Sequence, residues 1–518
     1  MDNWKKRLET YYNSPYYIAL FSALFAGLIV HLYALTNSLH NYDDIATQPY
    51  GFGTGISSGR WFLQLLGDTA TALGFAYNLP LVNGLLLIGL LAVSAGLLAV
   101  SLHIRNRKFA VLIGILFVVF PATTSTMYFR FTAPYYGLGV LLAVAAAWVL
   151  HRCKFALLLS GLFTALSLGI YQSYTPITIG IFVLLLLQAA LGGGTDWKTL
   201  IRQGLYYCAA LILGLVLYFV FLKLTLAITG AQLSSYQDID RMGLISLASL
   251  PRLVKQAYKA LLLLPMEDYC GVAATPFIRG LYLLLGIGAI GLTVYLLATK
   301  VRKAGLTVLV CLFGLIFPLA VNFVVVMCPQ SAIYTLMVYG FVLVPCLPMV
   351  ICEALPVEDG KRGQVHKCLT RAVACLLSLV MFYYGYEANV SYTAMHFANR
   401  HMENYYTSMV AQVRMTEGFT ADKTWAFIGD NQDPLQFSVW KDHTRYGGNA
   451  HVDGLINAYS RQAWLYHYVG YAMPLSTPEE IAALSQTEEV KAMPCWPDQG
   501  SIKVIGDTVV IKFQELSE

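Results

Sequence analysis

Long apolar stretches alternate with short polar loops along the chain as far as about residue 387. A helix that crosses a membrane needs roughly 20 mainly apolar residues. The predicted membrane-spanning helices number eleven and lie near 16–36, 79–102, 109–127, 135–150, 155–171, 175–192, 204–228, 278–298, 304–327, 333–354 and 368–387. The pattern therefore predicts an α-helical polytopic membrane protein whose membrane domain covers residues 1–387.

The pattern changes after this point to mixed polar and apolar positions, which indicates a small soluble α/β domain over residues 388–518. Its predicted elements are a polar helix over 389–416, a strand over 425–429, helical segments near 452–470 and 477–486, and a two-stranded hairpin over 501–513. Gly506-Asp507 is the predicted turn of the hairpin, because this residue pair favours tight turns between alternating strands.

The basic residues indicate the orientation of the chain, since Lys and Arg collect in cytoplasmic loops of membrane proteins. With a cytoplasmic N-terminus, the following basic residues all fall inside: Lys5, Lys6, Arg7, Arg105, Arg107, Lys108, Arg152, Lys154, Lys198, Arg202, Lys300, Arg302, Lys303, Lys361, Arg362, Lys367 and Arg371. The opposite loops hold Arg60, Arg130 and a basic group between residues 241 and 259. We expect a multi-pass protein of the cell membrane, with the C-terminal domain on the extracytoplasmic side.

Composition supports the membrane class and excludes others. The chain is 57% hydrophobic and 12% charged, about half the charged fraction of a soluble domain. The net charge of +5 comes from basic residues in short loops, so nucleic-acid binding is not expected. No cleaved signal peptide is expected, because the first apolar run lacks a small-residue cleavage site. Cys270 and Cys328 fall on the predicted outer side, where they either form a disulfide or remain free thiols.

The first outer loop carries two adjacent carboxylates, Asp43 and Asp44, directly after the first predicted helix. Ionisable groups at a membrane boundary are costly unless they are solvated, paired or bound to a metal, so they are candidates for function. One can act as a general base while the other orients a residue such as Arg60. A solvated loop with ordinary acidic residues is the alternative.

The second outer loop contains a predicted amphipathic helix that opens at Ser249-Leu-Pro251. Arg252, Lys255 and Lys259 recur at spacings of three and four and share one face. A basic face outside the membrane departs from the usual charge distribution, and binding of a lipid-linked phosphate explains it. The alternative is a helix that lies on anionic headgroups.

Aromatic and amide side chains recur in the shorter outer loops, in a form that suits sugar binding. Candidate sugar or acceptor contacts are Tyr42, Trp61, Tyr171, Gln172 and Tyr174, and Arg130 is a further candidate for the donor phosphate. An aromatic belt at the membrane boundary produces the same residues.

Motifs that bind nucleotides or catalytic zinc are missing. The sequence has no GxxxxGK[ST] loop, no GxGxxG after a strand, no HExxH and no GxSxG. An extracytoplasmic transferase would therefore use a donor that reaches the outer leaflet, such as a polyprenyl-phosphate sugar.

Several short motifs together resemble the bacterial glucosyltransferase II family, the O-antigen-type glucosyltransferases of the GT-C superfamily. They are Tyr42-Asp-Asp44, the Ser-Gly-Arg-Trp that ends at Trp61, Gly169-Ile-Tyr-Gln-Ser-Tyr174, and Met493-Pro-Cys-Trp-Pro-Asp-Gln-Gly-Ser-Ile502. The resemblance implies a GT-C-like helix bundle and transfer of glucose from undecaprenyl-phosphate-glucose to an extracytoplasmic cell-envelope glycan. It also implies an acidic catalytic residue in the first outer loop, which here is Asp43 or Asp44.

These features give a mechanistic hypothesis. The phosphate of the donor is held by Arg60, Arg130, Arg252, Lys255 or Lys259, which stabilise the charge that develops as it leaves. The Asp43/Asp44 pair deprotonates the acceptor hydroxyl, which then attacks the anomeric carbon with inversion. No cofactor is expected, although a carboxylate pair is also able to bind a divalent cation. The expected partners are membrane lipids, the lipid-linked donor and the glycan acceptor.

Two alternatives stay open at this point. One is a GT-C transferase for another sugar or acceptor, and the other is a transporter of lipid or polysaccharide. A transporter should place charged residues at mid-membrane on interrupted helices, whereas the predicted spans here are nearly uncharged.

Overall fold

The structure is a computed structural model that describes residues 13–47, 51–150, 152–235, 247–262, 272, 275–301, 303–327, 333–356, 360–430 and 455–515. The chain forms two compact units. The membrane unit contains the described residues up to Asn37 and those from Phe52 to Asn389. The second unit contains the described residues of Ser38–Gly51 and those from Val390 onward.

Helices dominate the described residues. In chain order they are α1 (Pro15–Thr36), α2 (Tyr42–Ala46), α3 (Trp61–Ala72), α4 (Pro80–Ser101), α5 (Arg107–Val119), α6 (Pro121–Tyr128), α7 (Ala133–Val149), α8 (Ala156–Ile170), α9 (Thr175–Gly192), α10 (Trp197–Thr229), α11 (Leu250–Leu262), α12 (Pro276–Thr299), α13 (Ala304–Val321), α14 (Val324–Met327), α15 (Cys346–Glu353), α16 (Gly360–Met415), α17 (Ala458–His467), α18 (Pro478–Ser485) and α19 (Glu488–Lys491). Short 3₁₀ turns cover Ile56–Ser58, Gln172–Tyr174, Leu247–Ser249, Thr335–Met337 and Tyr339–Leu343.

Eight helices in the described part of the chain are long and apolar enough to cross a membrane. They are Pro15–Thr36, Pro80–Ser101, Arg107–Tyr128, Gln172–Gly192, Trp197–Thr229, Pro276–Thr299, Ala304–Val321 and Gly360–Met415. The predicted count of eleven is not confirmed. The segments near 135–150 and 155–171 form helices of 17 and 15 residues. The segment near 333–354 is divided into 3₁₀ turns and the short α15, which follows Pro345. Each of these helices is shorter than a typical spanning helix.

Small residues let the membrane helices approach closely. Gly114 of α5 faces the backbone of Ala19 in α1, and a side chain there would meet the Ala19 carbonyl. Gly84 of α4 similarly faces the side chain of Leu35, and Gly27 of α1 faces Ile88. Close backbone approach replaces the hydrophobic driving force, which is absent between helices in lipid.

The second unit contains a three-stranded sheet of β1 (Thr424–Ile428), β2 (Ile502–Ile505) and β3 (Thr508–Lys512) in the order β1-β3-β2. β2 and β3 are antiparallel, and β1 runs parallel to β3. Gly506 has a φ of +60°, which suits the tight turn between β2 and β3. The predicted strand near 425–429 and the predicted hairpin are therefore confirmed.

The core of the second unit forms between the sheet and the last turns of α16. Met402, Tyr406 and Met409 of α16 pack with Trp425 of β1. Ile45 of α2 is fully buried in the same core, although the sequence pattern had assigned it to the membrane domain. The predicted span near 368–387 and the predicted polar helix over 389–416 form one continuous helix, α16, and the boundary between the units falls within it.

Candidate functional site

The acidic turn of the first loop is a short helix that begins at Tyr42. Asn41 caps it, because its Oδ1 accepts a hydrogen bond from the backbone N–H of Asp44 at 2.7 Å. Asp43 and Asp44 both lie in the first turn, where their negative charge interacts favourably with the helix N-terminus. Local sequence alone therefore explains why this segment is helical.

Asp44 is fully buried and contacts a histidine one turn earlier. Asp44 Oδ2 lies 2.8 Å from Nδ1 of His40, an i,i+4 pair whose side chains are 0% and 8% exposed. The hydroxyl of Tyr468 lies 3.1 Å from the same His40 nitrogen. Trp464 stacks on Tyr468 with ring centroids 4.3 Å apart. A buried carboxylate needs such a partner, which His40 provides, and a catalytic role for Asp44 stays a prediction.

Backbone hydrogen bonds hold His40 in place as well. The His40 N–H donates to Oδ1 of Asn399 at 2.9 Å, and Nδ2 of Asn399 donates to the His40 carbonyl at 3.0 Å. Asn399 belongs to α16, so these two hydrogen bonds attach the residue before the acidic turn to α16 within the second unit.

Asp43 differs from its neighbour in exposure. Its residue is partly exposed, whereas Asp44 is 0% exposed. Its carbonyl accepts a hydrogen bond from Oγ1 of Thr47 at 2.9 Å, which fixes the backbone of the turn. The two residues that the sequence left equivalent therefore differ in the structure, since Asp44 is fully buried and Asp43 is partly exposed.

A second polar cluster lies in the membrane unit around Arg60. The chain makes a 3₁₀ turn over Ile56–Ser58, and Gly59 then adopts a left-handed conformation with a φ of +71°. Gln172 donates to the Ser58 carbonyl at 2.8 Å, and the Tyr218 hydroxyl donates to the Gly59 carbonyl at 3.1 Å. These two bonds fix the turn immediately before Arg60.

The guanidinium of Arg60 lies against tyrosine rings. Its centre is 4.6 Å from the ring centroid of Tyr171, and one terminal nitrogen donates to the hydroxyl of Tyr136 at 3.1 Å. The two rings stack on each other with centroids 4.9 Å apart. A cation over an aromatic face is stabilised electrostatically.

Arg60 keeps an unused donor. Its buried Nε has no hydrogen-bond partner, and no carboxylate among the described residues forms an ion pair with it. A buried guanidinium donor without an acceptor costs free energy. The position is therefore suited to an oxyanion, which arginine binds through two parallel hydrogen bonds.

The family model described as Glucosyl transferase GtrII matches residues 32–345, which is more than half of the chain. The matched range includes Asp43, Asp44 and Arg60. The chain belongs to the GtrII glucosyltransferase family. Together with the eight apolar helices, this membership makes the protein a membrane glycosyltransferase. No curated protein and no solved structure matches the chain.

Several predicted sugar contacts of this GtrII family member are packed against other side chains. Tyr171, Gln172 and Tyr174 are 5%, 7% and 1% exposed. Trp61 packs against Phe221 at 5.0 Å between ring centroids, and Tyr42 packs edge-on against Tyr459 at 6.4 Å. Tyr171 and Gln172 contact Arg60 and the turn before it, and contact of all five side chains with a sugar stays a prediction.

The remaining predicted phosphate ligands occupy two further places in the membrane unit. Arg130 is 2% exposed and donates to the carbonyl of Asn37 at 3.3 Å, which gives it a structural contact. Arg252, Lys255 and Lys259 are exposed on α11, while Leu253 and Ala257 are buried. The predicted amphipathic helix is confirmed, and phosphate binding by these four cations stays a prediction.

His40, Tyr136, Tyr218 and Tyr468 were not among the predicted site residues. His40 had a signal, because it lies four residues before Asp44, within reach of a carboxylate in the first turn of the following helix. Tyr218 also had one, as a hydroxyl within a long apolar helix. Tyr136 and Tyr468 had none, since only the folded chain brings them to Arg60 and His40.

Two sequence expectations lie outside what the structure describes or tests. Cys270 and Cys328 fall outside the described residues, so their pairing stays open. Among the described residues, no group of three or more His, Cys, Asp or Glu side chains is arranged to hold a metal ion. The expected absence of a cofactor and the alternative of a divalent cation at Asp43 and Asp44 both stay predictions.

Proposed function

We propose that this membrane glycosyltransferase moves glucose from undecaprenyl-phosphate-glucose to an extracytoplasmic cell-envelope glycan, in a GT-C-type inverting reaction. Membership of the GtrII family supports glucose as the transferred sugar. The apolar helices support a lipid-linked donor, because the polyprenyl chain then remains in the bilayer beside the enzyme. The missing nucleotide-binding motifs support a donor other than a nucleotide sugar.

The proposed orientation of the chain in the membrane follows from its basic residues. The N-terminus is cytoplasmic and the second unit extracytoplasmic, because this arrangement places most of the loop lysines and arginines inside. The acceptor glycan then meets the enzyme outside the cell membrane, where cell-envelope polymers are found.

Asp43 is proposed as the general base, and the difference in burial within the acidic turn is the observation that carries this assignment. The Asp44 carboxylate is fully buried against His40, whereas Asp43 is a partly exposed residue. The Asp43 carboxylate takes the proton of the acceptor hydroxyl. The acceptor oxygen bonds to the anomeric carbon of glucose as the bond to the phosphate oxygen breaks. Undecaprenyl phosphate leaves with the electron pair.

Arg60 is proposed as the ligand of the donor phosphate. Its unused Nε and its fixed position on Tyr171 support this role. The phosphate gains negative charge as its bond to glucose breaks, so a preorganised guanidinium stabilises the transition state more than the ground state. Asp44 and His40 are positioning residues in this scheme and touch neither substrate.

The donor assignment is tested by glucose transfer with the purified full chain and a cell-envelope acceptor. We expect transfer from undecaprenyl-phosphate-glucose and none from a nucleotide-linked glucose. Undecaprenyl-phosphate-mannose serves as the matched donor for sugar choice, and we expect it to react at least tenfold more slowly. Equal transfer from both lipid donors would contradict the specificity for glucose. Transfer from the nucleotide sugar alone would contradict the lipid-linked donor.

A further inference from the structure

Two cavities lie in the membrane unit at the helix ends that carry the basic loops, and neither is lined by Arg60 or the acidic turn. The larger has a volume of about 910 Å³ and the smaller about 490 Å³. Arg105 and Glu353 line both cavities. The pair therefore stands where the two spaces adjoin.

Glu353 is largely neutralised by its own neighbours. Its carboxylate accepts hydrogen bonds from the backbone N–H groups of Arg105 at 3.0 Å and Asn106 at 2.7 Å. Nε of Arg105 lies 3.4 Å from the other carboxylate oxygen, and the Glu353 side chain is 6% exposed. The charge of Glu353 is therefore compensated by Arg105, and within the described residues Glu353 forms no ion pair with another cation.

Two further cations line the larger cavity, namely Arg152 and Lys300. Among the described residues, no carboxylate forms an ion pair with either of them. Lys300 donates to the carbonyl of Ala354 at 2.6 Å. Partial burial and, to a smaller extent, the charge of Arg105 lower the pKa of Lys300, so this position favours a nearby anion.

The smaller cavity repeats this excess of positive charge. Lys108, Lys367 and Arg371 line it in addition to Arg105. Glu353 is the one acidic residue in the described part of its lining, as in the larger cavity. The basic residues of the two cavities repel one another, because Glu353 is the only carboxylate among the described residues that line them. A bound anion would reduce this repulsion.

The walls of the larger cavity combine these charges with apolar and uncharged polar groups. Val100, Ile104 and Leu185 come from the ends of membrane helices or directly after them, and Gln188 and Gln203 add amide groups. Trp148 supports Arg152, whose guanidinium lies 5.4 Å from its ring centroid. Such walls suit a molecule with a charged head and apolar chains.

We propose that the larger cavity binds the phosphodiester headgroup of an anionic membrane lipid, with Arg152 and Lys300 as its cationic ligands. Basic pockets between membrane helices are suited to anionic headgroups, and the excess of cations over carboxylates here supplies the charge complementarity. The apolar walls favour a lipid over free phosphate, because they give the glycerol and the first methylene groups a place to pack. This site is independent of the proposed transfer reaction.

The test is native mass spectrometry of the purified full chain, titrated with phosphatidylglycerol or with phosphatidylcholine of the same acyl chains. We expect phosphatidylglycerol to bind at least tenfold more tightly. The double variant Arg152→Gln/Lys300→Gln should weaken its binding about tenfold or more, since each basic residue contributes roughly 1 kcal/mol to anionic lipid binding. Phosphatidylcholine binding should not change.

The matched control is Lys198→Gln/Arg202→Gln, which removes the same charge from α10 without touching either cavity. We expect it to retain phosphatidylglycerol binding. The single variant Arg152→Gln covers the case in which the double variant does not fold, because within the described residues the Arg152 side chain contacts the Trp148 ring and forms no hydrogen bond or ion pair. It should weaken binding at least threefold.

Equal losses in the double variant and its control would overturn the proposal, because binding would then follow overall charge. Unchanged binding in both Arg152→Gln and the double variant would overturn it as well. Inorganic phosphate at equal concentration should not displace the lipid, and displacement would identify a free-phosphate site instead.

Discussion

Asp43 and Asp44 are neighbours in the sequence, yet their surroundings in the folded chain differ. Asp44 is buried against His40 inside the second unit, whereas Asp43 is partly exposed. Sequence reasoning found the acidic pair, because carboxylates at a membrane boundary are unusual. The sequence does not show which aspartate is buried, since burial depends on Tyr468, Trp464 and Asn399. Asn399 lies 359 residues from His40.

The proposed phosphate ligand Arg60 depends on the shape of its guanidinium as well as on its charge. Arg60→Lys keeps the charge but loses the planar group that stacks on Tyr171 and hydrogen-bonds to Tyr136. We expect kcat/KM for undecaprenyl-phosphate-glucose to fall about tenfold to a hundredfold, corresponding to roughly 1.4 to 2.7 kcal/mol of lost transition-state stabilisation. Steady-state kinetics of the purified variant measure this loss.

Tyr136→Phe provides the graded comparison for Arg60. It removes one hydrogen bond and keeps the ring stack with Tyr171, so its effect on kcat/KM should be smaller than that of Arg60→Lys. Wild-type kinetics in Arg60→Lys, with the protein folded, would remove Arg60 from the proposed donor site.

Individual elements were predicted best where the determinants are local. The hairpin and the amphipathic helix follow from alternation, from helical spacing and from a Ser-Leu-Pro start, and all are present. The helix boundaries in the membrane unit were harder, since several apolar stretches form helices that are shorter than their apolar length or divide at proline. Composition reports hydrophobicity, but packing against neighbouring helices determines where a helix ends.

The contact between α1 and α5 yields a prediction for a whole element. Gly114→Ala would place a methyl group against the Ala19 carbonyl, so the helices must separate. We expect a loss of about 1–3 kcal/mol, typical of overpacking, seen as a lower midpoint of thermal unfolding in detergent. Gly89→Ala is the control, because a side chain at Gly89 of α4 meets no atom within 4 Å. Equal midpoints for both variants would contradict the close packing at Gly114.

The division of the molecule into two units was only partly visible in the sequence. The change of pattern near residue 387 indicated a separate C-terminal part, but residues Ser38–Gly51 also belong to that unit. No local pattern reveals this, because the partners of α2 come from α16 and α17, several hundred residues later. The acidic turn therefore depends on the C-terminal part of the chain for its shape.

Tyr468→Phe tests this dependence across the molecule. The change removes the hydroxyl that lies 3.1 Å from His40 and keeps the ring that stacks on Trp464. We expect glucose transfer to fall several-fold, with little change in unfolding temperature, because the turn loses one hydrogen bond of about 1 kcal/mol. Tyr466→Phe, at an exposed position two residues earlier, should behave as wild type. Identical activity in the two variants would show that the Tyr468 hydroxyl does not influence the acidic turn.

The most direct test of the account is the kcat for glucose transfer in Asp43→Asn, measured beside Asp44→Asn and the exposed control Asp68→Asn. We predict a loss of about 10²- to 10⁴-fold in Asp43→Asn at an unchanged unfolding temperature, because a general base is removed while an amide of the same shape keeps the partly exposed position. Asp44→Asn should instead lower the unfolding temperature, since His40 loses its buried carboxylate, and Asp68→Asn should match wild type. A wild-type kcat in Asp43→Asn would contradict the central claim.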